Sequence, residues 1–342
     1  MTPRTRLLPG HPVATTALLL VGLVAAVRPA PAHGQALVEE IRGLAEDNAG
    51  LYVRPLAQGL SFAMAGGIFE GADPLGRFGF DVGIRATGAF PSVAAETFSP
   101  VLPESVQWQD QVFEQPFVVS GTADGRSPTA VGEGPGAVLE PSGPYRDALE
   151  GGGYDPADYA IPLPDGLEIP LVPYAILHGS VGVGLGTELS ARFIPDVRLD
   201  DEVGSLGARG FAVRHSLAYW IPLVVDVSAI FATQRVDVGD YLEASSTQYG
   251  GMVGGAMGPL SLYGSAVLRR SSAEIGYTVE NPGDTNPALP ADGTRIAIDG
   301  DIDSRVAYGV GAQLSLLLLN LSAHYTADDF DLLTLKVGIG IP

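Results

Sequence analysis

From Arg77 onward the chain alternates. In Arg77–Phe90 (RFGFDVGIRATGAF) the residues Phe78, Phe80, Val82, Ile84, Ala86, Gly88 and Phe90 fall on one side of a period-2 pattern, and Arg77, Gly79, Asp81, Gly83, Arg85, Thr87 and Ala89 on the other. Successive side chains of a strand point to opposite faces of its sheet, so this segment predicts a strand with one apolar face and one polar, glycine-rich face. The same alternation recurs in Ala175–Leu185, Leu189–Phe193, Gly210–Trp220, Leu223–Gln234, Gln248–Met257, Leu260–Arg270, Val306–Ser315, Leu321–Tyr325 and Leu333–Ile341. Ten strands are therefore expected, and Val106–Ser120 holds a weaker eleventh.

The leading segment has a different rhythm. Val38, Ile41, Leu44 and Leu51 recur at helical spacing among Glu39, Glu40, Arg42, Glu46 and Asp47, which predicts one short amphipathic helix. LYVRPLAQGLSFAMAGG, residues 51–67, reads as an irregular glycine-rich stretch after it. Between strands, Gly258-Pro259 and Trp220-Ile221-Pro222 are tight turn signals, while about 121–159 and 280–303 are long, acidic and rich in Gly and Pro. Short connections alternating with long ones are the rhythm of an up-and-down barrel.

Alternating strands suit either a soluble sandwich with one wet face or a barrel with one face in lipid. Composition separates the two. Residues 1–36 carry Arg4 and Arg6 ahead of the apolar run Val13–Val27, with small residues at Ala30-Pro31-Ala32 and Gly34-Gln35-Ala36, the layout of a secretory signal cleaved after Ala32 or Ala36. Without it the chain has 16 Lys+Arg against 39 Asp+Glu, a formal charge of −23 over 306 residues. That acidity opposes binding to nucleic acid, which needs a basic footprint. With no cysteine, disulfides and thiolate chemistry are excluded. No stretch after residue 36 is long and apolar enough for a spanning helix, so a membrane-embedded reading requires a closed barrel. An exported chain whose strands carry Gly, Ser, Asp, Arg and Gln on the inner face fits that barrel better than the sandwich.

The order of short motifs resembles an outer-membrane β-barrel family of unknown function (DUF6588-like), itself distantly similar to the fatty-acid transporter barrels of the outer membrane. The resemblance rests on Glu46-Asp-Asn-Ala49 with Tyr52 and Pro55, then Gly79-Phe80-Asp81, Phe98 and Pro100. It continues through Gly186-Thr-Glu-Leu189 with Arg192 and Pro195, and His215 with Leu217. It covers nearly all of the chain after the signal. It implies a bacterial outer-membrane location and passive transport of a small, even hydrophobic, molecule. The competing class is a non-transporting structural or adhesive barrel, and a barrel lipid hydrolase comes third.

The full expectation is an all-β, transmembrane antiparallel barrel of about 12 strands (10–14) spanning residues 77–342, with residues 37–76 as an N-terminal helical plug or hatch. Val38, Ile41, Leu44 and Leu51 should dock that hatch. Asp81, Arg85, His178, Glu188, Arg192, Arg214, Asp226 and Lys336 should line the lumen. His178 and Ser180 share a strand face as in some barrel hydrolases, yet no acid is placed to orient the imidazole, and a lumen-lining polar pair is the plainer reading. His215 falls on the apolar face. Asp299, Asp301 and Asp303 alternate but lack the order of acids and glycine of a calcium loop. No enzyme activity, cofactor or metal is expected. The expected partners are outer-membrane lipid, the barrel-assembly machinery and a small hydrophobic ligand.

Overall fold

The structure is a computed structural model and describes residues 46–200, 204–221, 223–239, 242–278, 291 and 293–341. Val38, Ile41, Leu44, the signal segment and much of the second long connection lie outside the described residues.

Helix α1 (Glu46–Ala65) precedes strand β1 (Phe80–Phe90). Seven short strands follow: β2 (Thr97–Phe98), β3 (Ser105–Trp108), β4 (Gln111–Glu114), β5 (Phe117–Ser120), β6 (Ser127–Pro128), β7 (Val138–Pro141) and β8 (Ile161–Pro162). Helix α2 (Gly143–Gly151) lies between the last two. Long strands complete the chain: β9 (Val172–Gly184), β10 (Thr187–Asp200), β11 (Gly204–Ser216), β12 (Asp226–Val238), β13 (Leu242–Met257), β14 (Leu260–Thr278), β15 (Arg295–Leu316), β16 (Leu319–Ala327) and β17 (Asp331–Ile341).

The long strands and β1 close into one antiparallel barrel. β9 to β17 run as a meander, and β1 fits between β9 and β17, pairing Phe80 with Ile341 on one side and with Val181 on the other. The barrel has ten strands rather than about twelve. Each alternating segment of the sequence supplies one strand, whereas Val106–Ser120 forms β3, β4 and β5 outside the ring. That segment is too short in each piece to span the wall. The alternation falls on two environments: Asp81, Gly83, Arg85, Thr87 and Ala89 of β1 are buried, while Phe80, Val82 and Phe90 are exposed. In β17 Thr334 and Lys336 are buried against exposed Leu333, Leu335, Ile339 and Ile341.

The two ends of the barrel differ. At one end β9–β10, β13–β14 and β15–β16 are joined by the two-residue turns 185–186, 258–259 and 317–318. Trp220 and Ile221 belong to the longer connection between β11 and β12 there, and Pro222 lies outside the described residues. At the other end residues 91–171 form a cap of three small sheets with α2, so the first expected loop is structured and larger than 121–159. The second connection ends before Arg295, because the tail of the expected loop is already β15. Alternation resumes there among acids, which hid the strand.

Residues 51–65, read as irregular from Pro55 and the glycines, are helical throughout. Pro55 removes a helix hydrogen bond, a loss of about 3 kcal/mol in an isolated helix, but tertiary packing overrides that preference. In the first half of α1, Ala49, Tyr52 and Val53 pack on Phe98, Phe117, Leu139, Tyr145 and Leu149 of the cap. Asn48 grips Val101 through both its main-chain groups at 2.8 Å, and the Ala130 amide donates to the Tyr52 carbonyl at 2.9 Å. In the second half, Ala57, Phe62, Ala63 and Met64 pack inside the barrel mouth on Ala89, Val172, Tyr174, Val236, Phe330 and Leu332. The helix therefore descends from the cap into the ring.

Candidate functional site

The lumen is occupied by the chain's own N-terminal segment. After Ala65, residues 66–79 run down the interior as an irregular, bent segment and leave at the short-turn end, where the Phe78 amide donates to the Gly182 carbonyl at 2.9 Å before β1 begins. Only glycine fits at the crossing. A Cβ on Gly66 would lie 2.7 Å from the Thr87 Cγ2, and Gly67 has φ +46 against Thr334. The wall also finishes the helix: Gln234 Nε2 donates to the Met64 carbonyl at 2.7 Å and Gln248 Nε2 to the Ala65 carbonyl at 2.8 Å, satisfying acceptors that a helix end leaves unpaired.

Below the helix the segment has two faces. Ile68, Phe69 and Ala72 pack on Ala212, Ile230, Ala232, Met252, Tyr263, Val267 and Ala307. The opposite face is charged. Glu70 pairs with Arg85 and, at 3.2 Å, with Lys336, the chain's only lysine. Lys336 also pairs with Asp81, which accepts from Asn320 Nδ2 at 2.7 Å. Arg214 pairs with Glu188, donates to the Glu70 carbonyl at 2.9 Å and to that of Gly71, and stacks over the Phe69 ring. Glu188 accepts from the Leu75 amide at 2.9 Å. Arg192 donates to the Gly67 carbonyl at 3.0 Å.

Seven of the eight expected lumen residues are therefore buried inside the ring: Asp81, Arg85, His178, Glu188, Arg192, Arg214 and Lys336. Asp226 is half-buried at the short-turn end. Leu51 of the expected hatch is half-buried against the cap core. His178 Nε2 lies 3.0 Å from Ser180 Oγ, but Ser180 also meets Ser190 Oγ at 2.6 Å, and the His178 Nδ1 has no hydrogen-bonding partner. An imidazole held by no acid does not activate a serine. His215, on the outer face, is bonded by Thr187 at 2.9 Å and Trp220 at 2.9 Å.

Sequence reasoning missed the plug's own anchor, Glu70, and the groups that meet α1. Arg269 pairs with Asp328 and covers the Phe62 ring at 4.0 Å. A single acid in IFEGADPLG carries no motif, and its role exists only once β1 and β17 stand side by side. A cavity of about 30 Å³ lies beside the plug, lined by Gly67, Phe69, Ser265, Arg269, His324 and Thr326, room for one water. Among the described residues no group of His and carboxylates is placed to hold a metal. The side chains of Asp299, Asp301 and Asp303 lie outside what is described. In the cap, burial pushes the Tyr145 phenol up to about 12, with Tyr159 adding to the effect.

Residues 13–341 match the family described as "Family of unknown function (DUF6588)", and the chain belongs to that family. No curated protein matches it. Among solved structures it is similar to Ail, the attachment invasion locus protein of Yersinia pestis, solved with the heparin analogue sucrose octasulfate. That match has 12% identity and a TM-score of 0.21 over 76% of this chain and 97% of that one. It is also similar to a BenF-like porin from Pseudomonas fluorescens Pf-5, with 9% identity and a TM-score of 0.14 over 78% of this chain and 98% of that one. Likeness at this level carries no functional argument.

Proposed function

We propose that the protein is a bacterial outer-membrane barrel, exported by its N-terminal signal, that passes a small molecule, hydrophobic ones included, when its own hatch yields. The outward faces of β1 and β9–β17 meet lipid, the barrel-assembly machinery inserts them, and the cap stands at the outer surface. The observation that carries the reading is how the hatch is held. Residues 66–79 are irregular and glycine-rich, and their charged face is fixed by ion pairs and main-chain hydrogen bonds to β1, β10, β11 and β17. Buried polar attachments contribute little net stability because water replaces them once the segment moves. The helix above is held by apolar packing and stays. The hatch is thus hinged on one side.

A second reading, a barrel that only carries the cap, is favoured by the small size of the cavity beside Gly67 and Phe69, about 30 Å³. Solute efflux from liposomes separates the two. Glu70→Gln cuts the main ionic attachment, so efflux through the variant should exceed wild type while the barrel stays folded and heat-modifiable. A folded variant with unchanged efflux of both polar and hydrophobic solutes would favour the cap-bearing role.

A further inference from the structure

Among the described residues five cationic side chains are buried inside the barrel, and four of them have a carboxylate partner: Arg85 and Lys336 on Glu70, Arg214 on Glu188 and Arg269 on Asp328. Arg192 has none. It is 4% exposed, donates to the Gly67 carbonyl at 3.0 Å and meets Gln234 Oε1 only at 3.5 Å, and its Nε is unpaired. Water can complete its hydrogen bonds but cannot neutralise its charge, and an uncompensated buried charge is costly unless something balances it. In a chain of net charge −20, no shortage of acids explains the omission.

Two further unpaired polar atoms stand on the neighbouring strand β9, those of His178 and Tyr174. His178, paired in register with Arg192 across β9 and β10, leaves Nδ1 free at 2% exposure. When Ser180 donates to Nε2, the remaining imidazole proton sits on Nδ1 and makes it a donor. Tyr174, on the same inward row of β9, leaves its hydroxyl free at 7% exposure. A guanidinium N–H, an imidazole N–H and a phenol O–H, all buried, all donors and carrying one net charge, are the complement of a single negative charge.

The strand pairing ends beside them. Pairing of β9 with β10 stops at Leu177 and Phe193, although β9 begins at Val172 and β10 continues to Asp200. Above that point β10 stays with β11 through an irregularity between Ile194 and Val197. Pro173 and Pro195 stand on the two unpaired stretches, and neither can donate a ladder hydrogen bond. Tyr174 lies on the unpaired stretch, and Arg192 one residue before Phe193, the last paired residue of β10.

We propose that Arg192, with Tyr174 and His178, forms a buried site for one monoanion, a carboxylate or halide, reached through the seam between β9 and β10. A dianion would overshoot the one unbalanced charge. The proposal does not depend on transport, since a non-transporting barrel could hold the anion equally well.

The test uses the full mature chain folded in a neutral maltoside detergent. Thermal unfolding is followed in a buffer whose only anion is HEPES, then with bromide, acetate or octanoate added at matched ionic strength. Wild type should show a saturable rise in midpoint with acetate or bromide, and Tyr174→Phe should weaken the apparent affinity about tenfold, near the loss of one hydrogen bond to a charged group. Arg192→Gln should show no anion response and, without added anion, unfold at or above the wild-type temperature, because the unbalanced charge is gone. Octanoate binding more tightly than acetate would identify the ligand as the head of a tailed molecule lying in the seam; equal affinities would identify free small anions. Equal responses in wild type and Arg192→Gln, or no response to any probe, would overturn the site and leave water as its occupant. If Arg192→Gln does not fold, an unaltered anion response in Tyr174→Phe overturns the proposal by itself.

Discussion

The segment inside the barrel divides into two stretches built from opposite materials. The lower half of α1 is fixed by Phe62, Met64 and their neighbours on Val172, Val236, Phe330 and Leu332, with side-chain amides closing its last carbonyls. Residues 66–79 give up helix for an irregular path and rely on Glu70, Arg214, Glu188 and Arg192 along one face. The lower half of α1 and residues 66–72 are both largely buried, so burial alone does not say how firmly a segment is held. Apolar packing loses its full value when a side chain leaves, whereas a buried ion pair has already forfeited much of its Coulomb energy to desolvation.

The comparison can be broken at Phe62. Phe62→Ala should cost about 3–5 kcal/mol of global stability, seen in the urea midpoint of the folded barrel in detergent; a loss below 1 kcal/mol would mean the helix is no firmer than the segment beneath it. Next in size is Glu70→Gln. It leaves Arg85 without its carboxylate, about 2–3 kcal/mol at the upper end of the range for a buried donor stripped of its partner, or roughly 30- to 160-fold in the open population. Because Lys336 is the only lysine and lies behind the plug, an amine reagent reads this directly as faster modification of that residue. Amide exchange in α1 should not change. A smaller effect is expected of Gln248→Ala, about 1 kcal/mol for one hydrogen bond on the helix end, measured as faster exchange in the last turn of α1.

The last effect, confined to alkaline pH, lies in the cap that receives the other half of the helix. Tyr145 has its folded value raised from 10.0 to about 12. Its neutral phenol therefore contributes stability that is complete below the unfolded value and is lost as pH rises through the folded one. Between about pH 10 and 12 the cap should loosen before the barrel does, seen as loss of near-ultraviolet dichroism with the heat-modifiable barrel intact. Simultaneous loss would tie the cap more tightly to the ring than its contacts indicate.

The wall was legible because period 2 is unambiguous when Arg85 or Lys336 sits between apolar neighbours on a strand. Each alternating segment became a strand, and its polar side turned inward. What was not legible depended on enclosure. Pro55, Gly59 and Gly66 argue locally against helix and for a loop, and only a surrounding ring of side chains reverses the first part of that argument. Glu70 and Arg192 could not be told apart from any other acid or arginine, since one gains its partners and the other fails to gain one through strands remote in sequence. The cap strands are two to four residues long, below the length at which alternation is detectable.

The order of events during closure follows from the position of β1. Its two neighbours in the ring lie far away along the chain: Phe80 meets Ile341, 261 residues later, and its other flank waits for β9 beyond the whole cap. The segment that fills the lumen is joined directly to β1, so the sheet must curl around a strand that already carries the filling on its leading end. Ring closure and lumen filling are then a single cooperative step, with a long-range contact whose loop entropy makes it slow. A barrel assembled from separately expressed 37–76 and 77–342 would have to insert the filling into a finished ring, and the difference in yield between that route and the intact chain measures how much the covalent link guides assembly.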